Sequence, residues 1–299
     1  DSYCGGIVRQ AANRYGISPD FSTGTSDSKS NIKNMALPFI LKNKNNPGIQ
    51  YYCDAAGLQT FAEDTFAEII SKHTSLVTPD NYFVDSLKYQ SGIICNAWNE
   101  KIKAVQNAIN DINAAYNAID GDYILASKYK ENFQELEKLL EIEAPEFNEI
   151  SDTSFIDKND KKYLDYIKTV DSYLDLWRNF SVADRCNGGK ELKAIVNSFK
   201  EDVLSVINSI IGFINDYPYT KELCILLDQF CSSVNKLKRT SGALEFADVT
   251  ELALRILIEQ KDIRKQEKEA FSKIMIDEFQ ENKKKNRDLL FILSEMEGE

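Results

Sequence analysis

With 299 residues and 43% hydrophobic content, the chain is long enough to bury a sizeable core and too apolar for a disordered segment. Its formal charge of −11 argues against a broad electrostatic grip on a nucleic-acid backbone, so such contacts must come from local positive clusters. Six scattered cysteines without a C-x-x-C, and a single histidine (His73), argue against a disulfide framework, an iron–sulfur cluster, a histidine-based zinc site and a conventional catalytic triad.

The spacing predicts a first helix over about Ser2–Tyr15, stopped by Gly16 and kept stopped by Pro19. Residues Ser22–Ser30 read as a polar loop. Short helices are predicted at Asn31–Leu41 and Leu58–His73, with Asn43–Gly48 a turn between them and Pro38 near the end of the first or kinking it. Tyr51-Tyr52 and Tyr82-Phe83 are the loop aromatics best suited to base stacking.

Long amphipathic helices fill the middle. Ile94, Trp98, Ile102, Val105, Ile109, Ile112, Tyr116 and Ile119 recur at steps of three and four. A shorter set is Tyr129, Phe133, Leu136 and Leu140. Tyr163, Ile167, Val170, Leu174 and Trp177 follow, then Leu192, Val196, Phe199, Val203, Val206, Ile210 and Phe213, then Leu223, Leu227, Phe230, Val234 and Leu237. Each set puts one apolar seam on one helix, and the short polar connections suit antiparallel neighbours. Gly188-Gly189 reads as a turn between helices. No apolar run reaches the roughly 18 residues needed to cross a bilayer; Val203–Ile214 comes nearest. The cysteines read as free thiols, several on apolar stripes, in a reducing cytoplasm.

Towards the end, Asp248-Val249-Thr250-Glu251 has the spacing of a capping-box variant opening a helix to about Glu259. A charged stretch, Gln260–Glu269, leads to a strand at Lys273–Ile276, and a helix over about Lys284–Met296 closes the chain. Two basic clusters stand out, Lys236-Leu237-Lys238-Arg239 and Lys283-Lys284-Lys285-Asn286-Arg287. Both have the form of solvated helix faces, and Lys236, Lys238 and Arg239 are also candidate DNA contacts. The strand ends in Asp277-Glu278-Phe279-Gln280. Two adjacent carboxylates after an apolar run are what nucleotide hydrolysis asks for, one acid for the Mg²⁺ that travels with the nucleotide and one base for the attacking water. The same pattern also describes a core strand running into a solvated turn.

The flanking residues favour the first reading. Ile274-Met275-Ile276-Asp277-Glu278-Phe279-Gln280 resembles motif II (Walker B) of the UvrD/Rep superfamily of DNA helicases. Ser241-Gly242-Ala243-Leu244-Glu245-Phe246-Ala247-Asp248-Val249 resembles the segment that precedes motif II there. Asp1-Ser2-Tyr3-Cys4 through Phe21 is similar to the family's Ser-Phe-Cys motif and the residues just after it, most of all in the AddA/RecB branch of helicase–nucleases. Glu281 and Ala247 stand where the family usually has Asp, and Asp1 where His is common.

The resemblance implies a mainly α fold, with one short strand from a RecA-like α/β motor domain near the C-terminus. It implies motor-domain pieces at 1–24 and 241–299 and a helical 1B-type insertion at 25–240, which in the family contacts duplex DNA. It implies an ATP-dependent 3′→5′ DNA helicase or helicase–nuclease using ATP and Mg²⁺. Asp277 would serve the metal, Glu278 the water, and Gln280 the γ-phosphate signal. The implied partners are DNA and an AddB/RecC-like protein, in the cytoplasm. No G-x-x-x-x-G-K-[ST] occurs in the sequence, so the expectation is an excised piece, inactive alone, with Walker A before Asp1 and the remaining motifs after Glu299. Two other classes stay open: a non-catalytic helical interaction protein, which leaves the Asp-Glu-Phe-Gln run unexplained, and a carboxylate-bridged di-metal bundle, for which one histidine is too few.

Overall fold

The structure, a computed structural model, describes residues 2–150, 160–183, 189–271 and 284–294. These are mainly helical and fall into two compact units, Asp1–Asp85 with Lys221–Glu299, and Ser86–Thr220. The boundaries lie inside the 25–240 span expected to form the insertion, so residues 25–85 and 221–240 pack with the chain's two ends. No described helix is long and apolar enough to cross a membrane.

In the first unit, α1 (Ser2–Ala11) tightens into a 3-10 turn over Ala12–Tyr15 and ends at Gly16, whose φ of 65° is a left-handed cap that glycine takes without strain. The expected loop at 22–30 is shorter than predicted: β1 (Ser22–Thr23) is followed directly by α2 (Thr25–Lys42), which runs on past Pro38. A missed helix, α3 (Pro47–Ala56), begins where a turn was expected. Asn46 caps it through Gly48 N–H at 2.9 Å, and Pro47 takes the first position, where it loses no hydrogen bond. Tyr51 and Tyr52 therefore ride on a helix, with the Tyr52 ring stacked 6.0 Å from Phe61. They are not loop aromatics.

Next come α4 (Leu58–Thr60), a π-helical turn at Phe61–Phe66 and α5 (Ala67–His73). Then α6 (Tyr82–Asn117) carries the chain into the second unit, and Tyr82-Phe83 opens it, with Phe83 buried. The chain returns within α11 (Ser205–Ser241), a helix that passes through Pro218 where two separate helices were expected. After β2 (Ala243–Leu244) follow α12 (Phe246–Glu259), α13 (Lys261–Glu269) in place of the expected charged linker, and α14 (Lys284–Ser294). Ile7, Val8 and Ala11 of α1 share one core with Val249, Leu252, Ala253 and Ile256 of α12 and with Leu289 and Leu293 of α14. Phe39, Phe66 and Phe230 form a second packed group, with Phe230 5.0 Å from Phe39 and 5.2 Å from Phe66. The strand expected at Lys273–Ile276 lies outside the described residues. The strands that are described, β1 and β2, form a two-stranded parallel ladder pairing Ser22 with Ala243 and Thr23 with Leu244.

The second unit holds the body of α6, α7 (Gly121–Ala126), α8 (Lys130–Glu141), α9 (Lys161–Asn179), α10 (Gly189–Ser198) and a π-helical turn at Phe199–Leu204 that runs into α11. Trp98, Ile102, Val105 and Ile112 are buried along α6 as their spacing requires. Asn99 exchanges two hydrogen bonds with the Ile150 backbone, at 2.8 and 2.7 Å, and so holds the non-helical segment after α8 against α6. The π turn explains a miss. A turn closed i to i+5 adds a residue to the repeat, so after Leu192, Val196, Phe199 and Val203 the buried set shifts and widens to Leu204, Ile207, Ile210, Ile211 and Ile214; Ile210 is buried as its spacing requires, while Val206 and Phe213 are only half-buried. In α8, Phe133 and Leu136 are buried as expected, but the next buried residue is Leu139, not Leu140.

Among the described residues, Cys4, Cys53, Cys95, Cys224 and Cys231 are in no disulfide, and all but Cys53 are buried; Cys186 lies outside the described residues. Burial pushes the Cys224 thiol up to about 11, far from the reactive thiolate range. The chain is therefore expected to melt at the same temperature with and without reductant, followed by far-UV circular dichroism. A structural disulfide would be worth about 2–5 kcal/mol, so a drop of several degrees on adding reductant would overturn this.

Candidate functional site

Two segments singled out at opposite ends of the sequence meet in the first unit. Gly242, with φ 66°, ends α11 and turns the chain, and its carbonyl accepts Ser22 N–H at 2.8 Å. This sets Ala243–Leu244 beside Ser22–Thr23. One turn on, Asp248 sits at the third position of α12, 1% exposed. The capping box is set earlier than expected: Glu245 is the cap and Asp248 its partner, accepting Glu245 N–H at 2.9 Å. Glu251, expected to complete the box, instead accepts Ser75 Oγ–H.

Asp248 does more than cap. One oxygen accepts Leu76 N–H at 2.9 Å, and the other also accepts Lys238 Nζ at 2.8 Å. Lys238 stands 3.6 Å from Glu245 as well, and both members of the Lys238–Asp248 pair are more than nine-tenths buried. A buried carboxylate is tolerated when its lone pairs are filled this fully. The arrangement is not legible from residue spacing, because the pair is ten residues apart across a glycine turn.

This divides the basic cluster at 236–239. Lys238 is committed to an internal ion pair, so it is corrected from a candidate DNA contact and solvated side chain to a buried structural one. Arg239 is half-buried and gives one N–H to the Tyr15 carbonyl and another to the Leu76 carbonyl at 3.1 Å. Lys236 is exposed. Of the second cluster, Lys283 lies outside the described residues and Arg287 is exposed on α14.

Asp277, Glu278 and Gln280 lie outside the described residues. The element leading to them does not. Helix α13 is anchored on α1 through Gln10 Nε2, which donates to the buried Glu267 at 2.9 Å, and the Tyr3 ring meets Phe271 edge-on at 5.4 Å. Burial, together with the Glu267 carboxylate, lifts the Tyr3 hydroxyl well above the usual phenol range, so it stays protonated. Tyr3 thus packs against the last described residue before the segment that carries the acidic pair. Among the described residues there is no group of three or more His, Cys, Asp or Glu side chains able to hold a metal ion.

Comparison with known proteins places these features. The sequence pattern of the family described as UvrD/REP helicase N-terminal domain matches residues 1–299. Curated relatives include the A subunit of ATP-dependent helicase/nuclease from several strains of Streptococcus pyogenes. One is 32% identical over 78 residues and another 31% over the same length. Each match covers 26% of this chain and 6% of the relative, so the chain aligns with only a small part of those proteins.

Proposed function

Because the chain belongs to the UvrD/REP helicase N-terminal domain family, we propose that it is part of the motor of a longer ATP-dependent 3′→5′ DNA helicase or helicase–nuclease. The family match across all 299 residues carries this reading, since it takes in both chain ends and the acidic run between α13 and α14.

Within that motor, Asp277 is the residue of this chain that would hold Mg²⁺, directly or through water. Magnesium is usually bound by one or two carboxylates together with substrate phosphates and waters, and a lone Asp after an apolar run suits that donor set. Bound there, the ion would supply charge against the phosphates. Glu278 takes the proton of the attacking water, and Gln280 senses the γ-phosphate and relays it towards DNA. The second unit, Ser86–Thr220, corresponds to the body of the helical insertion that would face duplex DNA. The relatives are named as one subunit of their enzyme, which supports a partner of the AddB/RecC kind here.

The test is DNA-stimulated ATP hydrolysis and 3′→5′ unwinding by the longer protein that contains this sequence; a protein that binds DNA without turning over ATP would overturn the reading. The 299-residue chain by itself is expected to show no Mg²⁺-dependent ATP turnover. It has no glycine-rich phosphate loop to hold a γ-phosphate beside Glu278. Robust turnover would reveal a nucleotide site of another kind.

A further inference from the structure

In the second unit, α6 carries a stripe on its solvent side as regular as its buried one. From Tyr89 to Asn117, the residues met at alternate steps of four and three are all exposed. They lie on the side of the helix away from Trp98, Ile102 and Val105, which are buried. A repeat of seven residues is the seam along which two helices wind around each other.

The composition of this stripe is unusual for a solvated face. Tyr89, at 73%, is the most exposed large apolar side chain among the described residues, and Ile93 is 51% exposed. Beyond them the stripe holds one anion, Glu100, and one cation, Lys103; the rest are asparagines and Ala114. It is electrically neutral on a chain whose net charge is −11. Two copies of such a chain repel each other, and a neutral strip is where that repulsion is least.

The stripe is also its own complement. An asparagine amide both donates and accepts, so one amide satisfies another. Laid antiparallel on itself about a two-fold axis between Lys101 and Ile102, the stripe sets Glu100 against Lys103 and Asn96 against Asn107. The same register lays the Tyr89 ring over the small Ala114. Each pair then occurs twice, as a two-fold contact requires. Ile93 falls on Asn110, the least favourable pair. Moving the register by one heptad loses the match, since Lys103 then faces Ile93 or Asn107. Within the chain Glu100 stands 3.4 Å from Lys101, and Lys103 2.5 Å from Glu149, but the Glu100 and Lys103 side chains are 75% and 66% exposed. Ion pairs so exposed are worth little and exchange at little cost.

We propose that the solvent face of α6 docks a second copy of this chain, helix antiparallel to helix, in the register that pairs Glu100 with Lys103. The proposal goes beyond the helicase reading and does not depend on it.

The test is sedimentation equilibrium of the full 299-residue chain over a concentration series at about 0.15 M salt. There, repulsion between distant charges is screened beyond about 8 Å while close pairs persist. The expected result is a monomer–dimer equilibrium. Glu100→Lys and Lys103→Glu are each expected to weaken it by roughly tenfold or more, because each sets like charges opposite one another twice. Glu100→Lys/Lys103→Glu restores the pairing with the charges exchanged, and is expected to recover most of the loss. Net charge alone predicts otherwise, since Glu100→Lys makes the chain less negative and would strengthen association. All three variants change exposed residues and are expected to melt like the unmodified chain.

The register has its own readout. Oxidised Asn96→Cys/Asn107→Cys is expected to form a covalent dimer that neither single variant forms. Within one chain the two positions stand about 16 Å apart along the helix, too far for a disulfide. A chain that stays monomeric at about 100 µM would overturn the proposal and leave the face to a different protein. Association that strengthens in Glu100→Lys, a double charge exchange without recovery, or equal cross-linking in the single cysteine variants would overturn it as well.

Discussion

Glu278→Gln in the longer protein is expected to lower ATP turnover by about 10²- to 10⁴-fold, the usual contribution of a general base. The amide keeps the size and shape of the carboxylate and can still hold a water by hydrogen bonding, but it cannot accept the water's proton. Nucleotide affinity is expected to stay close to that of the unmodified protein. Asp277→Asn is expected to act on the other quantity, weakening the Mg²⁺-dependent part of nucleotide binding by removing charge beside the metal. The paired measurement is turnover and nucleotide affinity on both variants. Near-normal turnover in Glu278→Gln would remove Asp277-Glu278-Phe279-Gln280 from motif II and, with it, the mechanism proposed above.

How much of this could be read from the sequence depends on the range of the interactions involved. Helical seams are local, so Trp98, Ile102, Val105 and Ile112 were legible as buried from spacing alone, and Gly16 as a helix stop. Where a π turn adds a residue, the local rule slips just after it, as with Val206 in place of Ile207, although Ile210 is buried where spacing put it. Helix α3 had a local signal, Asn46-Pro47, which reads equally as a turn or as a cap followed by a first-position proline. Helix α13 was missed for another reason. Its nine residues are mostly charged, and only Ile263 and Glu267 are buried, too few to make a seam. The two-residue ladder joining Ser22–Thr23 to Ala243–Leu244, and the Lys238–Asp248 pair beside it, depend on segments meeting across more than two hundred residues or across a tight turn. No window of sequence contains both partners and the reason they meet. Family resemblance links the two chain ends by motif order, but it does not say that Lys238 faces inward while Lys236 faces out.

That inward lysine sets the largest stability effect expected in the chain. Asp248→Ala removes the only described carboxylate within 3 Å of Lys238 Nζ and strips the Leu76 and Glu245 amides of their acceptor. Breaking a buried pair by deleting one partner typically costs about 3–5 kcal/mol, because the surviving charge is left without compensation. Lys238→Met is expected to fall in the same range, since it leaves Asp248 and Glu245 buried side by side with no cation between them. Asp248→Leu/Lys238→Met removes both charges together. It is expected to lose less than the sum of the two single changes, with a coupling of about 1–3 kcal/mol. It should not return to the unmodified stability, because the Leu76 and Glu245 amides still lack their acceptor, and an unsatisfied buried donor costs about 1–3 kcal/mol. Urea unfolding can assign the loss to its place in the chain. Both tryptophans, Trp98 and Trp177, lie in the Ser86–Thr220 unit. Far-UV circular dichroism reports both units, whereas tryptophan fluorescence reports that one alone. The expected result is an early dichroism transition in Asp248→Ala that the fluorescence does not share. A loss below about 1 kcal/mol in Asp248→Ala would show that the pair is not formed in solution. Simple additivity in the double variant would show that Lys238 and Asp248 do not act on each other.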